Sequence, residues 1–336
     1  MSVTEIRRFF PLAKKERIGI LSGRYDPVCS AHIRGALSVL ESGAADRVLL
    51  ILTGVSGAAS AEDRWKMLVA ASACDKRLIP SRLCLDKGLD PVSGTALKAL
   101  SKLYPDADLF PVSSDPVSFS VSGTRDLDVQ VQEYCHSKGL YGFSGKLEHI
   151  DSWMNLLFDA LKPRRFAHSL SVARTSALLA EMYGENHLKA EQAGLLHDCA
   201  KCLPLKDMQR IAVDNNLTDD PSVLSSDALL HSIAGACLAE KEYGMADPDV
   251  LEAIRYHNTG YPGMSRLAMC VCLADFMEPL RESFPLLEKV RVLSRTSLEK
   301  ALLLSLEGTV DYVKSRGWYL YPRTLDTISW LRQVVA

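Results

Sequence analysis

The chain has 336 residues, of which 47% are hydrophobic and 24% charged, and its formal net charge at pH 7 is −2. This length favours two domains, and the near-zero charge disfavours a nucleic-acid binder, which usually carries a marked basic excess. No apolar run is long enough to cross a membrane, and the N-terminal segment lacks the apolar core of a signal peptide. We therefore expect a cytoplasmic protein with nine reduced cysteines and with no nucleic-acid or membrane partner. The oligomeric state is left open.

The first half of the chain alternates between runs typical of strands and runs typical of helices. The predicted strands cover residues 18–21, 47–52, 82–85 and 107–112, and the predicted helices cover residues 32–40, 62–73, 94–103 and 129–138. This alternation predicts an α/β domain built on a parallel sheet with helices on its faces. Ligands of such sheets bind outside the carboxyl ends of the strands, and residues 22–27 follow the first predicted strand at that location.

Residues 22–32, with the sequence SGRYDPVCSAH, resemble the G-G-x-F-D-P-x-H-x-G-H signature of the nicotinate-mononucleotide adenylyltransferases. The resemblance extends over residues 15–142 and implies a Rossmann-like nucleotidyltransferase fold for an N-terminal domain, which we place at residues 1–142. It also implies a nucleotide site, for which the candidate residues are Gly23, Asp26, His32, Ser122 and Thr124.

The same motifs depart from the family at positions that carry charge. Cys29 stands where the first histidine of the signature belongs, and Leu127 stands where a later I-S-S-T-x-I-R motif has its arginine. Adenylyl transfer needs donors and cations around the triphosphate, and the loss of one such group typically costs about 2.7–4 kcal/mol of transition-state stabilisation. We therefore expect a degenerate, inactive transferase domain that binds a nucleotide or serves only as a scaffold.

A glycine-rich segment at residues 139–146 predicts a linker, and helical periodicity dominates after it. The predicted helices cover residues 147–161, 167–183, 188–201, 204–215, 229–243, 248–257, 265–277 and 287–316. We therefore expect an all-α domain at residues 147–336.

Histidine and aspartate residues recur on five of these helices, beside small or apolar neighbours. They are His168, His197, Asp198, His231, His257 and Asp275. A lone helical histidine is more often a hydrogen-bonded core residue than a ligand, whereas a buried aspartate without a partner is costly. Imidazole and carboxylate donors suit divalent transition metals, and four imidazoles with two carboxylates suit two ions about 3.5–4 Å apart. The pattern thus predicts a two-metal centre if the helices converge.

The order of these residues, H…HD…H…H…D, resembles the HD-domain metal-dependent phosphohydrolases. More narrowly, the YqeK-type symmetrical diadenosine tetraphosphate hydrolases have motifs similar to RFAH at 165–168, LLHDCAK at 195–201, HSIAGA at 231–236, YHNTG at 256–260 and ADFMEPLR at 274–281. The resemblance implies that the six residues are metal ligands and that Asp198 bridges two divalent ions. Iron is the metal that the family suggests, and manganese or cobalt would also suit these donors.

The resemblance also implies roles for residues beside the ligands. Asp198 and Lys201 are the expected catalytic residues, because Lys201 lies one helical turn after Asp198 and could neutralise phosphate oxygens. Spacing alone is equally consistent with a surface lysine at a helix end. The expected substrate contacts are Arg165, Lys201, Thr259, Gly260, Glu278 and Arg281.

The reaction that the resemblance implies is hydrolysis of diadenosine tetraphosphate, and of related dinucleoside polyphosphates, at the centre of the phosphate chain to give two ADP. Three alternatives are left open. The HD domain could act on another nucleotide or a guanosine alarmone, and the protein could be bifunctional with a working nicotinate-nucleotide adenylyltransferase. It could also be a regulatory protein in which one domain senses a nucleotide.

Overall fold

The structure is a computed structural model that describes residues 15–91, 93–112, 126–144 and 146–336. The chain divides into two compact units between Asp128 and Val129. Among the residues described, none of the helices combines the length and the apolar character that a membrane crossing requires. The expected cytoplasmic location stays a prediction.

The first unit is built on a four-stranded parallel sheet. Its strands are β1 (Glu16–Gly23), β2 (Arg47–Leu52), β3 (Leu78–Ser81) and β4 (Ala107–Pro111). They lie in the order β3-β2-β1-β4, and every neighbouring pair is parallel. Residues 48–52 of β2 are buried, as expected for an inner strand of a sheet that is covered on both faces. The predicted parallel α/β architecture is confirmed.

The helices described in the first unit are α1 (Ser30–Glu41), α2 (Ala61–Ser72), α3 (Leu83–Lys87) and α4 (Gly94–Leu103). The side chain of Ser60 begins α2 by accepting a hydrogen bond from the backbone amide of Asp63 at 3.0 Å, which satisfies one of the free donors of the first turn. Apolar residues of α4, including Leu100, pack with Ile18 and Leu49 of the sheet in one core.

The predicted strand at residues 82–85 is wrong. Strand β3 ends at Ser81, one residue before the predicted strand would begin, and Ser81 pairs with Ile51 of β2. Leu83 begins the short helix α3. That helix ends at Gly88, which has a φ of +59° and donates its amide hydrogen bond to the carbonyl of Leu85. A short apolar run fits one helical turn as well as a strand, so periodicity could not distinguish the two.

The second unit contains helices and no strand in the part of it that the structure describes. The helices are α5 (Val129–Lys138), α6 (Ile150–Ala160), α7 (Pro163–Met182), α8 (His187–Leu196), α9 (Leu205–Asp214), α10 (Pro221–Leu224), α11 (Asp227–Lys241), α12 (Pro248–Tyr256), α13 (Arg266–Met277), α14 (Pro285–Leu293), α15 (Leu298–Ser315) and α16 (Pro322–Val334). The predicted all-α architecture of the C-terminal half is confirmed.

Helix α5 packs against α7 within the second unit, although the sequence analysis placed this helix in the N-terminal domain. The domain limits of 1–142 and 147–336 stay predictions. The single helix predicted over residues 287–316 is wrong, because α14 ends at Leu293 and α15 begins at Leu298. The side chain of Ser297 accepts a hydrogen bond from the amide of Lys300 at 3.2 Å and so starts a new helix. Helices α10 and α16, which were not predicted, each begin at a proline.

Candidate metal centre

Five helices of the second unit converge on one buried cluster of imidazoles and carboxylates. Helices α7, α11 and α13 carry ligand candidates within their length, whereas α8 and α12 are directly followed by theirs. The residues, in helix order, are His168 on α7, His197 and Asp198 after α8, His231 on α11, His257 after α12 and Asp275 on α13. Helix α8 ends at Leu196, so the predicted continuation of this helix to residue 201 is wrong.

A close approach of α7 and α8 positions the His-Asp pair. A Cβ atom added to Gly194 would lie 2.8 Å from Cα of Ala173 and 2.8 Å from Oγ of Ser176, so only glycine fits between the helices without a shift. The carbonyl of Gly194 accepts a hydrogen bond from Nδ1 of His197 at 2.6 Å. The last turn of α8 therefore fixes both the position and the orientation of His197.

The two carboxylate oxygens of Asp198 face different histidines. Oδ2 lies 3.3 Å from Nε2 of His197 and 3.8 Å from Nε2 of His168. Oδ1 lies 3.3 Å from Nε2 of His231 and 3.8 Å from Nε2 of His257. A carboxylate placed between two sets of nitrogen donors has the geometry of a ligand shared by two ions.

Asp275 lies on the Oδ2 side of this cluster. Its Oδ1 is 3.1 Å from Nε2 of His168 and 3.9 Å from Nε2 of His197. Three groups have donor atoms within 4.8 Å of one another, namely His168–His197–Asp198, His197–His257–Asp275 and Asp198–His231–His257. All six residues that the sequence analysis selected are thus brought together.

Each of the four histidines is oriented by a hydrogen bond at Nδ1. The acceptor for His168 is the carboxylate of Glu278, and the acceptors for the others are backbone carbonyls. The distances lie between 2.6 and 3.1 Å, and the carbonyls are those of Gly194 for His197, Asp227 for His231 and Ile254 for His257. These contacts assign the proton to Nδ1, which leaves the lone pair of each Nε2 directed at the cluster.

Two further observations indicate that these donor atoms are suited to divalent metal ions. The four histidines and Asp198 are at most 7% exposed, so water does not compensate their polar atoms. The Nε2 atoms of His168 and His197 are buried and make no hydrogen bond within the described residues. Buried nitrogen and oxygen donors without thiolate are typical of iron, manganese or cobalt sites.

At His257 and Asp198, electrostatics favour the protonation states that bind metal. Burial, together with the neighbouring His197 and His231, lowers the pKa of His257 to about 3. Burial acts to raise the pKa of Asp198, but His197 and His231 hold it well below its usual range. The neutral imidazole of His257 and the ionised carboxylate of Asp198, which are the ligand forms, are therefore their forms at neutral pH.

Two cationic side chains lie against the cluster. Nη1 of Arg165 is 2.6 Å from Oδ2 of Asp198. Nζ of Lys201 is 3.2 Å from both ring nitrogens of His231, and burial lowers the pKa of this lysine. Positive charge thus lies against Oδ2 of Asp198 and against His231, where phosphate oxygens could be neutralised. The roles of both residues in catalysis and substrate binding stay predictions.

Glu278 and Arg281 contact ligands in the structure. Glu278 bonds to His168 at 3.1 Å, and although burial lowers the pKa of this histidine, Asp275 and Glu278 raise it above its usual value. Arg281 donates from Nε to the carbonyl of Asp275 at 2.8 Å and from Nη2 to its Oδ1 at 3.1 Å. Both residues hold candidate ligands in place, and their predicted contacts with substrate stay predictions.

A cavity of about 890 Å³ lies in the second unit, and none of the six ligand candidates lines it. Its lining includes Asn258 and Thr259, which directly follow His257, and the aromatic residues Trp318 and Tyr319. The next residue, Gly260, has a φ of +61°, and an added Cβ would lie 2.7 Å from Cγ2 of Thr327. Gly260 is therefore required by the turn itself, whereas Thr259 borders the cavity. Their predicted substrate contacts stay predictions.

The candidate nucleotide residues Asp26 and His32 of the first unit have partners near the ends of β1 and β2. The carboxylate of Asp26 accepts hydrogen bonds from the amides of Ala58 at 2.7 Å and Ala59 at 3.1 Å. Nδ1 of His32 accepts from the amide of Cys29 at 3.0 Å and lies 2.9 Å from its Sγ. At Gly23 an added Cβ would lie 3.3 Å from the ring of Tyr25. Ser122 and Thr124 lie outside the described residues.

Sequence reasoning missed two groups of residues that the structure makes prominent. Arg64 is fully buried and donates to the carbonyls of Arg24, Thr53 and Gly54 at the ends of β1 and β2. The aromatic residues of the cavity come from the segment at 318–321, whose density of tryptophan and tyrosine was the available signal.

The chain is similar to known proteins in both halves. The family described as HD domain matches residues 165–280. A protein from Halalkalibacterium halodurans, named bis(5'-nucleosyl)-tetraphosphatase, symmetrical, is 38% identical over 178 residues, which cover 53% of this chain and 94% of that protein. The chain belongs to this HD-domain family.

Two further relatives place the HD domain in context. The crystal structure of a predicted HD superfamily hydrolase involved in NAD metabolism, from Clostridium acetobutylicum, is 37% identical with a TM-score of 0.54, and covers 55% of this chain and 97% of its own. A Mycoplasma genitalium protein named "Probable nicotinate-nucleotide adenylyltransferase/Ap4A hydrolase" is 24% identical over 356 residues, covering 89% of this chain and 99% of that protein. The chain therefore joins an adenylyltransferase-like N-terminal region to its HD domain.

Proposed function

We propose that the HD domain hydrolyses diadenosine tetraphosphate and related dinucleoside polyphosphates symmetrically, so that diadenosine tetraphosphate gives two ADP. The observation that carries the proposal is Asp198, whose two oxygens face two separate sets of histidine nitrogens. The Halalkalibacterium halodurans relative, a symmetrical bis(5'-nucleosyl)-tetraphosphatase by name, supplies the substrate class.

Two divalent ions would divide the ligand set between them, with Asp198 shared. The first would take His168, His197 and Asp275, and the second would take His231 and His257. Such ions lower the pKa of bound water and neutralise charge on the phosphate oxygens. Nitrogen and oxygen donors without thiolate suit iron, manganese or cobalt. We propose iron among these, because the resemblance to the YqeK-type hydrolases suggests it.

The chain's own cations orient the polyphosphate. Arg165 contacts Oδ2 of Asp198 and Lys201 contacts His231, and a planar guanidinium suits two phosphate oxygens at once. Water attacks one of the two central phosphorus atoms, and the bridging P–O bond at the middle of the chain breaks. The bridging oxygen leaves with one ADP and the oxygen of water stays on the other, so the products are identical.

The cavity beside His257 would receive one nucleoside of the substrate. Its volume of about 890 Å³ lies within the range of small-molecule sites. Trp318 and Tyr319 line it and are 60% and 55% exposed, so their ring faces are accessible to a purine. We propose that a dinucleotide bound at the metal cluster reaches this cavity past Asn258 and Thr259 and places an adenine against the aromatic side chains.

Product analysis tests the proposed reaction. Purified protein is incubated with diadenosine tetraphosphate and manganese or ferrous ions, and nucleotides are separated by chromatography. We expect ADP as the sole product. Formation of AMP with ATP would contradict symmetrical cleavage, and turnover of a guanosine alarmone with none of the dinucleotide would favour the second HD substrate class.

We also propose that the N-terminal domain does not catalyse adenylyl transfer. Burial raises the pKa of the Cys29 thiol and lowers the pKa of the His32 imidazole, so both groups are neutral at pH 7. Neutral groups provide little stabilisation for charge that moves onto pyrophosphate. The test is incubation with ATP and nicotinate mononucleotide, for which we expect no dinucleotide. Steady dinucleotide formation would make the protein bifunctional.

A further inference from the structure

A second group of potential ligands lies in the helical unit, outside the HD cluster. Helix α5 carries Glu133 and His136, and helix α8 carries Glu191. One donor atom from each residue lies within 4.8 Å of the other two, and Nδ1 of His136 is 3.4 Å from Oε1 of Glu191. None of these residues belongs to the centre around Asp198.

The two carboxylates of this group are buried without compensation. Glu133 is fully buried and Glu191 is 1% exposed. Both carboxylate oxygens of Glu133, together with Oε2 of Glu191, make no hydrogen bond within the described residues. Burial and the negative charge of Glu191 raise the pKa of Glu133, against an attraction from Arg174 on α7. Two such carboxylates need a proton or a cation between them.

One shared proton does not satisfy the group. A proton between the two carboxylates gives a partner to one oxygen of each, and a second oxygen of Glu133 stays without a partner. The imidazole of His136 does not supply that partner, because its Nδ1 contacts Oε1 of Glu191. A cation can contact both carboxylates and the imidazole together, because it has several coordination positions.

The residue spacing is that of a helical metal site. Glu133 and His136 stand three residues apart on one face of α5, and Glu191 comes from a second helix. A Glu-x-x-His pair that faces glutamates of neighbouring helices is the arrangement by which helical bundles hold iron or manganese. The His136 side chain is 21% exposed, which gives an ion access from solvent.

We propose that Glu133, His136 and Glu191 bind one divalent cation of the manganese, iron or zinc class, at a site separate from the HD centre. The cation joins α5 to α8, whose C-terminal end leads into His197 and Asp198. It neutralises the buried carboxylates and so stabilises the packing of α5 on the helices that carry the HD ligands. The proposal does not rest on the proposed hydrolase reaction.

Manganese stoichiometry tests this site. The full-length protein is stripped with a chelator and dialysed against excess Mn²⁺, and bound manganese is counted for the wild type, Glu133→Gln and His136→Ala. The matched control is Glu181→Gln, which changes an exposed glutamate on α7. We expect both cluster variants to bind one ion fewer per chain than the wild type and the control, because the HD ligands are intact in all four proteins.

Thermal melting distinguishes a bound cation from a proton shared between Glu133 and Glu191. We expect Mn²⁺ to raise the melting temperature of the wild type and of Glu181→Gln by more than that of Glu133→Gln or His136→Ala. Equal manganese counts in all four proteins would overturn the proposal. The proposal would also be overturned if Glu133→Gln melts at a higher temperature than the wild type in chelator and binds as much manganese. That result would mean that the neutral amide of glutamine replaces a protonated carboxyl of Glu133.

Discussion

The buried polar groups of the two units differ in whether other residues satisfy them. In the first unit, the carboxylate of Asp26 is satisfied by the amides of Ala58 and Ala59, and buried Arg64 is directed at backbone carbonyls. These charges hold the loops at the ends of the strands. In the second unit, imidazoles converge on Asp198 with buried nitrogens that no described residue satisfies. One set of polar groups serves the fold, and the other is arranged for a ligand.

The inactivity that we propose for the first unit is compatible with its intact fold. The parallel sheet depends on many buried apolar residues, so a single polar change beside it alters the fold little. Adenylyl transfer depends on a few charges, and Cys29 stands at one of those positions. The HD centre has the complementary property, because removing any one of a few ligands should remove the reaction while the helices stay packed.

The largest expected effect is on the HD ligands. We expect His197→Ala to lower the rate of diadenosine tetraphosphate hydrolysis by about 10²–10³-fold or more and to lower bound metal, because Nε2 of His197 faces Asp198. The matched control is His187→Ala, which changes an exposed histidine at the start of α8, the helix that His197 directly follows. Initial rates and metal content are measured together. A fully active His197→Ala variant would break the contrast between the units.

The next effect concerns the close approach of α7 and α8. We expect Gly194→Ala to destabilise the second unit by about 1–3 kcal/mol, because the added methyl group meets the backbone of Ala173. Gly235→Ala in α11 is the control, since the nearest atom there is 3.5 Å away and helix propensity favours alanine. Urea unfolding compares the two variants. Equal midpoints would show that the glycine at 194 does not set the helix spacing.

A smaller effect is expected on the pH dependence of stability in chelator. The raised pKa of Glu133 means that the folded protein holds a proton that the unfolded chain releases above about 4.5. The stabilising contribution of Glu133 to the free energy of unfolding is therefore complete below a pH of about 4.5 and is lost as the pH rises. We expect Glu133→Gln to flatten the decline between pH 5 and pH 8, where urea unfolding is measured. An unchanged slope would assign the decline to other groups.

The smallest effect is expected in the first unit. Restoring a histidine with Cys29→His should not produce dinucleotide from ATP and nicotinate mononucleotide, because Leu127 still stands where the family has an arginine. The variant loses the contact of the Cys29 thiol with His32, so a modest loss of stability accompanies the change. Chromatography of the reaction products is the measurement. Clear dinucleotide formation would mean that one side chain separates this domain from an active transferase.

Sequence patterns predicted the features that depend on local periodicity or on ordered motifs. The buried run at 47–52 became β2 with the predicted limits, and the HD motifs identified residues that the fold brings together. The strand predicted at 82–85 failed because a short apolar run has no periodicity that separates one helical turn from a strand. The break between α14 and α15 was missed because Ser297 begins a helix by a local side-chain hydrogen bond.

Contacts between distant positions could not be predicted in the same way. Glu133 and Glu191 are separated by 58 positions and belong to no motif used in the sequence analysis, so only the packing of their helices reveals the cluster. The partner of Glu278 is His168, 110 positions away, whereas the sequence suggested a substrate contact. A sequence shows which residues can serve as ligands or orienting groups, and packing decides which of them meet.

Metal titration of chelated protein tests the central claim most directly. The Glu133→Gln variant is used, so that the Glu133 cluster does not take up metal, and diadenosine tetraphosphate hydrolysis is followed as ferrous or manganese ions are added. The two sides of Asp198 predict no activity without metal and a rise that levels off at two ions per chain, with ADP as the sole product. Full hydrolysis in chelator, or a plateau at one ion, would contradict the two-metal HD centre.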